Sequence, residues 1–278
     1  MASLHVVVAL CVAVTVLAYV TSLITRNTSQ VDRLWSILPG LYAAVFAGWT
    51  PMRFQNPRTT LMAVLIIAWG IRLTLNFARK GGYRAGSEDY RWPVLRKRMS
   101  PFVFHLFNIG FISIFQNVLL VLISLPVFIA GQNAQAPLNA VDVIAALVFV
   151  VALAGETIAD NQQWRFHEAK RLARERGETV NPPFLTTGLF RFSRHPNFFC
   201  EQLMWWCVFA FSVAAAGTAW HIGLIGPVVL TALFQGSARF TEELSLEKYP
   251  SYAEYQRSTP RQFPLPRRQA GQAAVRAE

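Results

Sequence analysis

Thr186–Phe209 reads TTGLFRFSRHPNFFCEQLMWWCVF, a basic turn that passes without a break into an apolar run. Pro196 suits the first turn of a helix, where its missing N–H costs nothing and its φ is already helical. Arg191, Arg194 and His195 therefore sit at or just before a helix N-terminus, whose free amides and positive dipole end attract a phosphate or carboxylate. Beyond the turn, Asn197, Glu201 and Trp205 recur at i, i+4 and i+8, a polar stripe on an otherwise apolar helix. A carboxylate facing lipid is expensive, so the stripe is expected to line a cavity within a helical bundle. The alternative is a basic anchor followed by a helix whose polar residues only bond their neighbours.

The composition around this stretch agrees with a membrane setting. Of 278 residues, 53% are hydrophobic and 15% charged, a departure from soluble averages toward membrane proteins. The net charge of +11 falls in the gaps between apolar runs, where topology places it, so no nucleic-acid partner is expected. Cys11, Cys200 and Cys207 lie in apolar runs without a C-x-x-C pair, and the five histidines form no H-x-x-x-H, so no metal is implied. Nothing in the sequence calls for a protein partner.

About 20 apolar residues cover a bilayer core. Ser3–Ile24, Ser36–Trp49, Thr60–Phe77, Pro101–Ala130, Leu138–Gly155, Phe198–Ala216 and Trp220–Phe240 answer to this, the second being short and containing Pro39-Gly40. The fold class expected is an all-α polytopic membrane protein of about seven transmembrane helices. No Lys or Arg precedes the first run, whereas Arg26 and Arg33 follow it, so the N-terminus is expected outside and the C-terminus in the cytosol. Arg53 and Arg58 are the exceptions to that pattern. One helical domain is expected over residues 1–266, with cytosolic loops 78–100 and 156–196, a tail helix at 241–264 and a disordered tail at 267–278. The membrane is the endoplasmic reticulum in a eukaryote or the inner membrane in a bacterium.

Several polar groups stand out from this background. Asp32, before the second run, reads as a helix cap or as a proton-handling acid. Arg72 and Asn76 share a face of the third run, where snorkelling competes with a ligand-binding role. The loop Arg79–Arg98, with Tyr83 and Trp92, offers stacking and phosphate contacts suited to a nucleotide. Glu156 and Asp160 stand four apart where an apolar run ends; like charges so placed repel by a few tenths of a kcal/mol, so a partner is expected, from Arg72, Arg194 or a ligand's hydroxyls.

The segment Gly188–Glu201 with Trp205-Trp206, the Glu156/Asp160 pair and the tail Glu243…Tyr249-Pro-Ser-Tyr252 together resemble the steroid 5-alpha-reductase-like family of membrane reductases, in its bacterial and protist branch. The resemblance implies a seven-helix bundle open to the cytosol, NADPH as cofactor, and reduction of a double bond conjugated to a carbonyl in a lipid or steroid-like substrate. It implies a cofactor site of Arg72, Asn76, Glu156, Asp160, Arg194, His195, Asn197, Glu201, Trp205, Glu243 and Tyr252. Asp32 and Tyr83 are the candidates for proton donation. One departure is Trp69, which stands where steroid-reducing members carry a tyrosine. The Arg-His-Pro turn and Glu242-Glu243 are similar also to membrane methyltransferases of the isoprenylcysteine and phospholipid type, which hold S-adenosylmethionine. A scaffold or transporter retaining the fold is a third reading.

Overall fold

The structure, a computed structural model, describes residues 1–48 and 56–266. Arg53, the last residue of the expected second span and the expected disordered tail lie outside the described residues. In chain order the helices are α1 (Ala2–Thr25), α2 (Gln30–Leu34), α3 (Leu38–Phe46), α4 (Pro57–Arg79), α5 (Arg91–Arg98), α6 (Pro101–Phe107), a π-helical segment (Asn108–Phe115), α7 (Gln116–Gln132), α8 (Ala140–Glu175), α9 (Pro196–Ala216), α10 (Ile225–Lys248) and α11 (Tyr252–Ser258). Six helical stretches among the described residues are long and apolar enough to cross a membrane: Ala2–Thr25, Pro57–Arg79, Pro101–Gln132, Ala140–Glu175, Pro196–Ala216 and Ile222–Lys248. The chain is an all-helical, multi-pass membrane protein.

The expected second span differs in form. It is a nine-residue helix, α3, with Pro39 in its first turn, too short alone for a core of about 30 Å at about 1.5 Å per residue. The segment from Ser36 through α3 nonetheless runs antiparallel to most of α4. The Ser36 hydroxyl meets that of Thr74 at 2.7 Å, Gly40 lies against Ile67, and Phe46 O lies beside Gly131 with Thr59. Gly70 makes the approach possible, since a Cβ there would stand 2.4 Å from Ser36 O.

The chain packs as two compact units. One comprises Met1–Phe149 and Trp205–Leu230; the other comprises Val150–Met204 and the chain from Thr231 onward. In the first unit α3 packs on α4 and α7, and α1 packs on α3, α7 and the π-helical segment. Outward, α1 exposes Val8, Val12, Val16 and Leu17, a face that lipid rather than water suits. Asn56 caps α4 through the amides of Arg58 and Thr59. Arg58, only 1% exposed, donates to both carboxylate oxygens of Asp142 at 2.7 Å and to the carbonyls of Ala136 and Pro137. One of the two exceptions to the basic-inside pattern is therefore neutralised where it stands.

The second unit begins in the apolar half of α8. The first part of the expected loop 156–196 is helical: α8 continues without a break past Glu156, and its 36 residues span about 54 Å, well beyond a bilayer core. The loop that follows turns at Gly188, whose φ is +64, and is pinned there by Leu189 N–H donating to Gln162 Oε1 at 2.9 Å. The tail departs from expectation at Thr241. With no Pro or Gly before Pro250, α10 runs straight on to Lys248, and the separate tail helix is the seven-residue α11.

Candidate functional site

Pro196 opens α9, as its chemistry dictates, but the basic turn before it is occupied by protein. Arg194 N–H donates to Pro260 O and His195 N–H to Arg261 O, both at 2.9 Å, while Ser193 Oγ donates to Gln262 O at 2.7 Å. The segment after α11 is thereby strapped along the turn. The side chains follow suit. Arg194 grips Glu242 with two donors, Nε to Oε1 at 2.6 Å and Nη2 to Oε2 at 3.0 Å, and gives Nη1 to the carbonyls of Gln256 and Thr259. His195 Nε2 lies 3.1 Å from Glu242 Oε1, and Gln256 and Arg261 donate to Oε2 at 3.1 and 3.2 Å. Instead of meeting a phosphate, as expected from its charge, Arg194 closes a buried hub.

The acid at that hub is Glu242, 2% exposed, whereas the expected Glu243 is solvent-exposed. The signal was in the sequence: Leu230, Phe234 and Ala238 form the buried stripe of α10, and a further step of four reaches 242 rather than 243. The tyrosines after it belong to the same construction. Phe184 packs against the rings of Tyr249, Tyr252 and Tyr255 at centroid separations of 6.1, 4.9 and 5.7 Å. Burial, then the Glu242 charge, holds the Tyr252 phenol neutral far above its usual range. Tyr249 moves the other way, its hydroxyl accepting from Lys170 at 2.9 Å. Tyr252, expected at the cofactor, packs its ring against Phe184 and Tyr255.

The expected acids lie elsewhere in this unit. Glu156 and Asp160 on α8 and Glu201 on α9 are all buried, and Asn197 is half-buried. The residues just before two of them hold the helices together: a Cβ on Gly155 would stand 2.9 Å from Cys200 Sγ. Gly155 therefore leaves room for the Cys200 sulfur, and Glu156 and Glu201 are each one residue from this contact between α8 and α9. The unit also exposes Arg165, Arg174 and Arg191.

The remaining expected residues fall in the first unit. Asp32 does not cap a helix; it accepts the Trp92 indole N–H at 2.8 Å. Burial raises its pKa, Asp89 adds to the effect, and Arg91 with the bonds from Trp92 and Ser29 offsets part of it. Tyr83 is joined to the same loop cluster, its hydroxyl donating to Arg33 O at 3.1 Å and its ring edge-on to Phe77. On α4, Asn76 is buried and accepts from Arg79 Nε at 3.0 Å, while Arg72 is half-buried one turn earlier. Trp69 and Trp205 meet edge to face, centroids 5.0 Å apart at 80°.

Comparison with known proteins places this geometry in a lineage. The family described as "Protein of unknown function (DUF1295)" matches residues 18–259. An uncharacterised protein of Schizosaccharomyces pombe is 40% identical over 254 residues, covering 86% of this chain and 73% of that protein. No solved structure matches.

Proposed function

This chain belongs to the DUF1295 family, and we propose that it is an NADPH-dependent membrane reductase that saturates a double bond conjugated to a carbonyl in a lipid substrate. The resemblance to steroid 5-alpha-reductase-like proteins gives the reaction. The observation that carries it is the set of buried acids, Glu156, Asp160 and Glu201, at the close approach of α8 and α9. Carboxylates buried on spanning helices are costly and mark sites of chemistry or transport.

The residues of the second unit fit a nucleotide in a manner different from that first expected. The carboxylates suit ribose hydroxyls and a carboxamide N–H, Asn197 supplies both a donor and an acceptor, and the exposed Arg165, Arg174 and Arg191 suit phosphates. When bound, NADPH supplies hydride for the β-carbon of the conjugated system. Within the first unit, Asp32 is a carboxyl suited to holding a proton, since burial raises its pKa and the Trp92 indole N–H fixes its orientation. The apolar interior of a membrane bundle excludes water from the reacting atoms.

A second reading, an S-adenosylmethionine-dependent methyltransferase, has one observation in its favour. The second unit buries four carboxylates, of Glu156, Asp160, Glu201 and Glu242, beside Arg194 and His195, and a cationic methyl donor suits that balance better than a polyanion. Labelling decides between them. Vesicles containing the protein are incubated either with an enone lipid and NADPH deuterated at the transferable position, or with a prenylcysteine, whose free carboxylate accepts a methyl group, and methyl-labelled S-adenosylmethionine. Deuterium at the β-carbon supports the reductase, label in a methyl ester supports the methyltransferase, and transfer of neither overturns both.

A further inference from the structure

The acids of the first unit, Asp32, Glu88, Asp89 and Asp142, are all engaged. At one end Asp142 cancels the charge of Arg58. At the other, where α1 and α4 finish and α6 begins, Asp32 takes the Trp92 indole, Asp89 takes Arg91, and Glu88 takes Arg96 and Thr28. Arg33 is held there by Gln30 and by Ser87 O. What this end turns outward is basic: Arg26, Arg79, Lys80, Arg84, Lys97 and Arg98 are exposed, and the acids beside them are not. An excess of positive charge is what topology asks of one end of any spanning bundle, and a second feature is needed to make a site of it.

That feature lies just inside the basic rim, between α1 and α6. The Tyr19 hydroxyl meets His105 Nε2 at 2.9 Å on the surface of the unit, within two segments apolar enough to span a membrane. Its surroundings are exposed and apolar: Val16, Val20 and Leu23 on α1, Phe102 and Leu106 on α6. Polar groups facing hydrocarbon are costly without partners, and the one bond between the pair leaves the other imidazole nitrogen over. Tyr19 stands seven residues before Arg26, roughly 10 Å along a helix. His105 lies in α6, whose start follows closely on Lys97 and Arg98 at the end of α5. Arg26 itself takes a φ of +52, a left-handed position after α1 that glycine usually fills.

We propose that Arg26, Lys97 and Arg98, with Tyr19 and His105 beneath them, form a binding site for an anionic phospholipid of the adjoining leaflet. The cations suit the phosphate, and the tyrosine and imidazole suit the ester carbonyls and hydroxyls below it. The exposed Leu23, Phe102 and Leu106 suit the start of the acyl chains. The site is independent of the reductase reading.

Native mass spectrometry of the full chain released from detergent tests this, with phosphatidylglycerol and phosphatidylcholine of the same acyl chains as probes. The wild type is expected to hold phosphatidylglycerol about 10-fold more tightly or better. Lys97→Gln and Arg98→Gln are each expected to weaken that lipid about 5-fold and leave phosphatidylcholine unchanged. Tyr19→Phe is expected to weaken both lipids alike, about 3-fold, because the ester groups are common to them. Equal affinity of the wild type for the two lipids overturns the site, and so does an unaltered preference in the double variant of Lys97→Gln with Arg98→Gln. A loss just as large in Arg257→Gln, an exposed basic residue of the second unit, also overturns it, since the attraction would then belong to overall charge.

Discussion

Glu242 and the Trp69–Trp205 pair are equally buried, and they are opposites. At Glu242 both carboxylate oxygens receive donors, from Arg194, His195, Gln256 and Arg261, so the polar group is satisfied by the fold itself. At the tryptophans the donors face no acceptor among the described residues. The difference is between a polar group that the fold itself satisfies and one that it leaves unanswered among the described residues. Arg194 and His195 belong to the satisfied kind.

The largest effect that would sharpen this contrast is at the hub. Glu242→Ala strands Arg194 in a buried site and is expected to destabilise the protein by about 3–5 kcal/mol, read as loss of folded protein after detergent extraction. Near-normal thermal unfolding would mean that the hub is not structural. The Arg58–Asp142 pair, also buried and hydrogen-bonded, offers a cleaner comparison. Arg58→Met alone is expected to cost about 3–5 kcal/mol, whereas the double change with Asp142→Leu returns most of it, because a buried pair stabilises little over a packed apolar pair. A double variant as unstable as the single one would break that account. The smallest effect is at the tryptophans. Trp69→Phe loses ring volume but also removes an unanswered donor, so in the absence of ligand its unfolding is expected to change by no more than about 1 kcal/mol.

What the sequence made legible follows the same division. Local rules read correctly the long apolar runs, the start of α9 at Pro196 and the unbroken course of α8 past Glu156, since each depends on neighbouring residues alone. The α10 stripe of Leu230, Phe234 and Ala238 also points, one step of four further on, to Glu242 as a buried acid. Other features were out of reach. Arg58 finds Asp142 from 84 residues away, and the strap that occupies the amides of Arg194 and His195 comes from 66 residues further along the chain in each case. A basic turn open to an anion is a fair local inference, and only the folded chain reveals that its own tail has taken the amides of Arg194 and His195.

The central claim is that the buried acids of α8 and α9 receive a soluble cofactor while the Glu242 hub only holds the fold. Titration of NADPH into the purified protein, followed by quenching of tryptophan fluorescence in the wild type and in Glu201→Gln, tests it most directly. The account predicts saturable binding that Glu201→Gln abolishes without changing thermal unfolding; undiminished affinity in that variant, or no NADPH binding by the wild type, would contradict it.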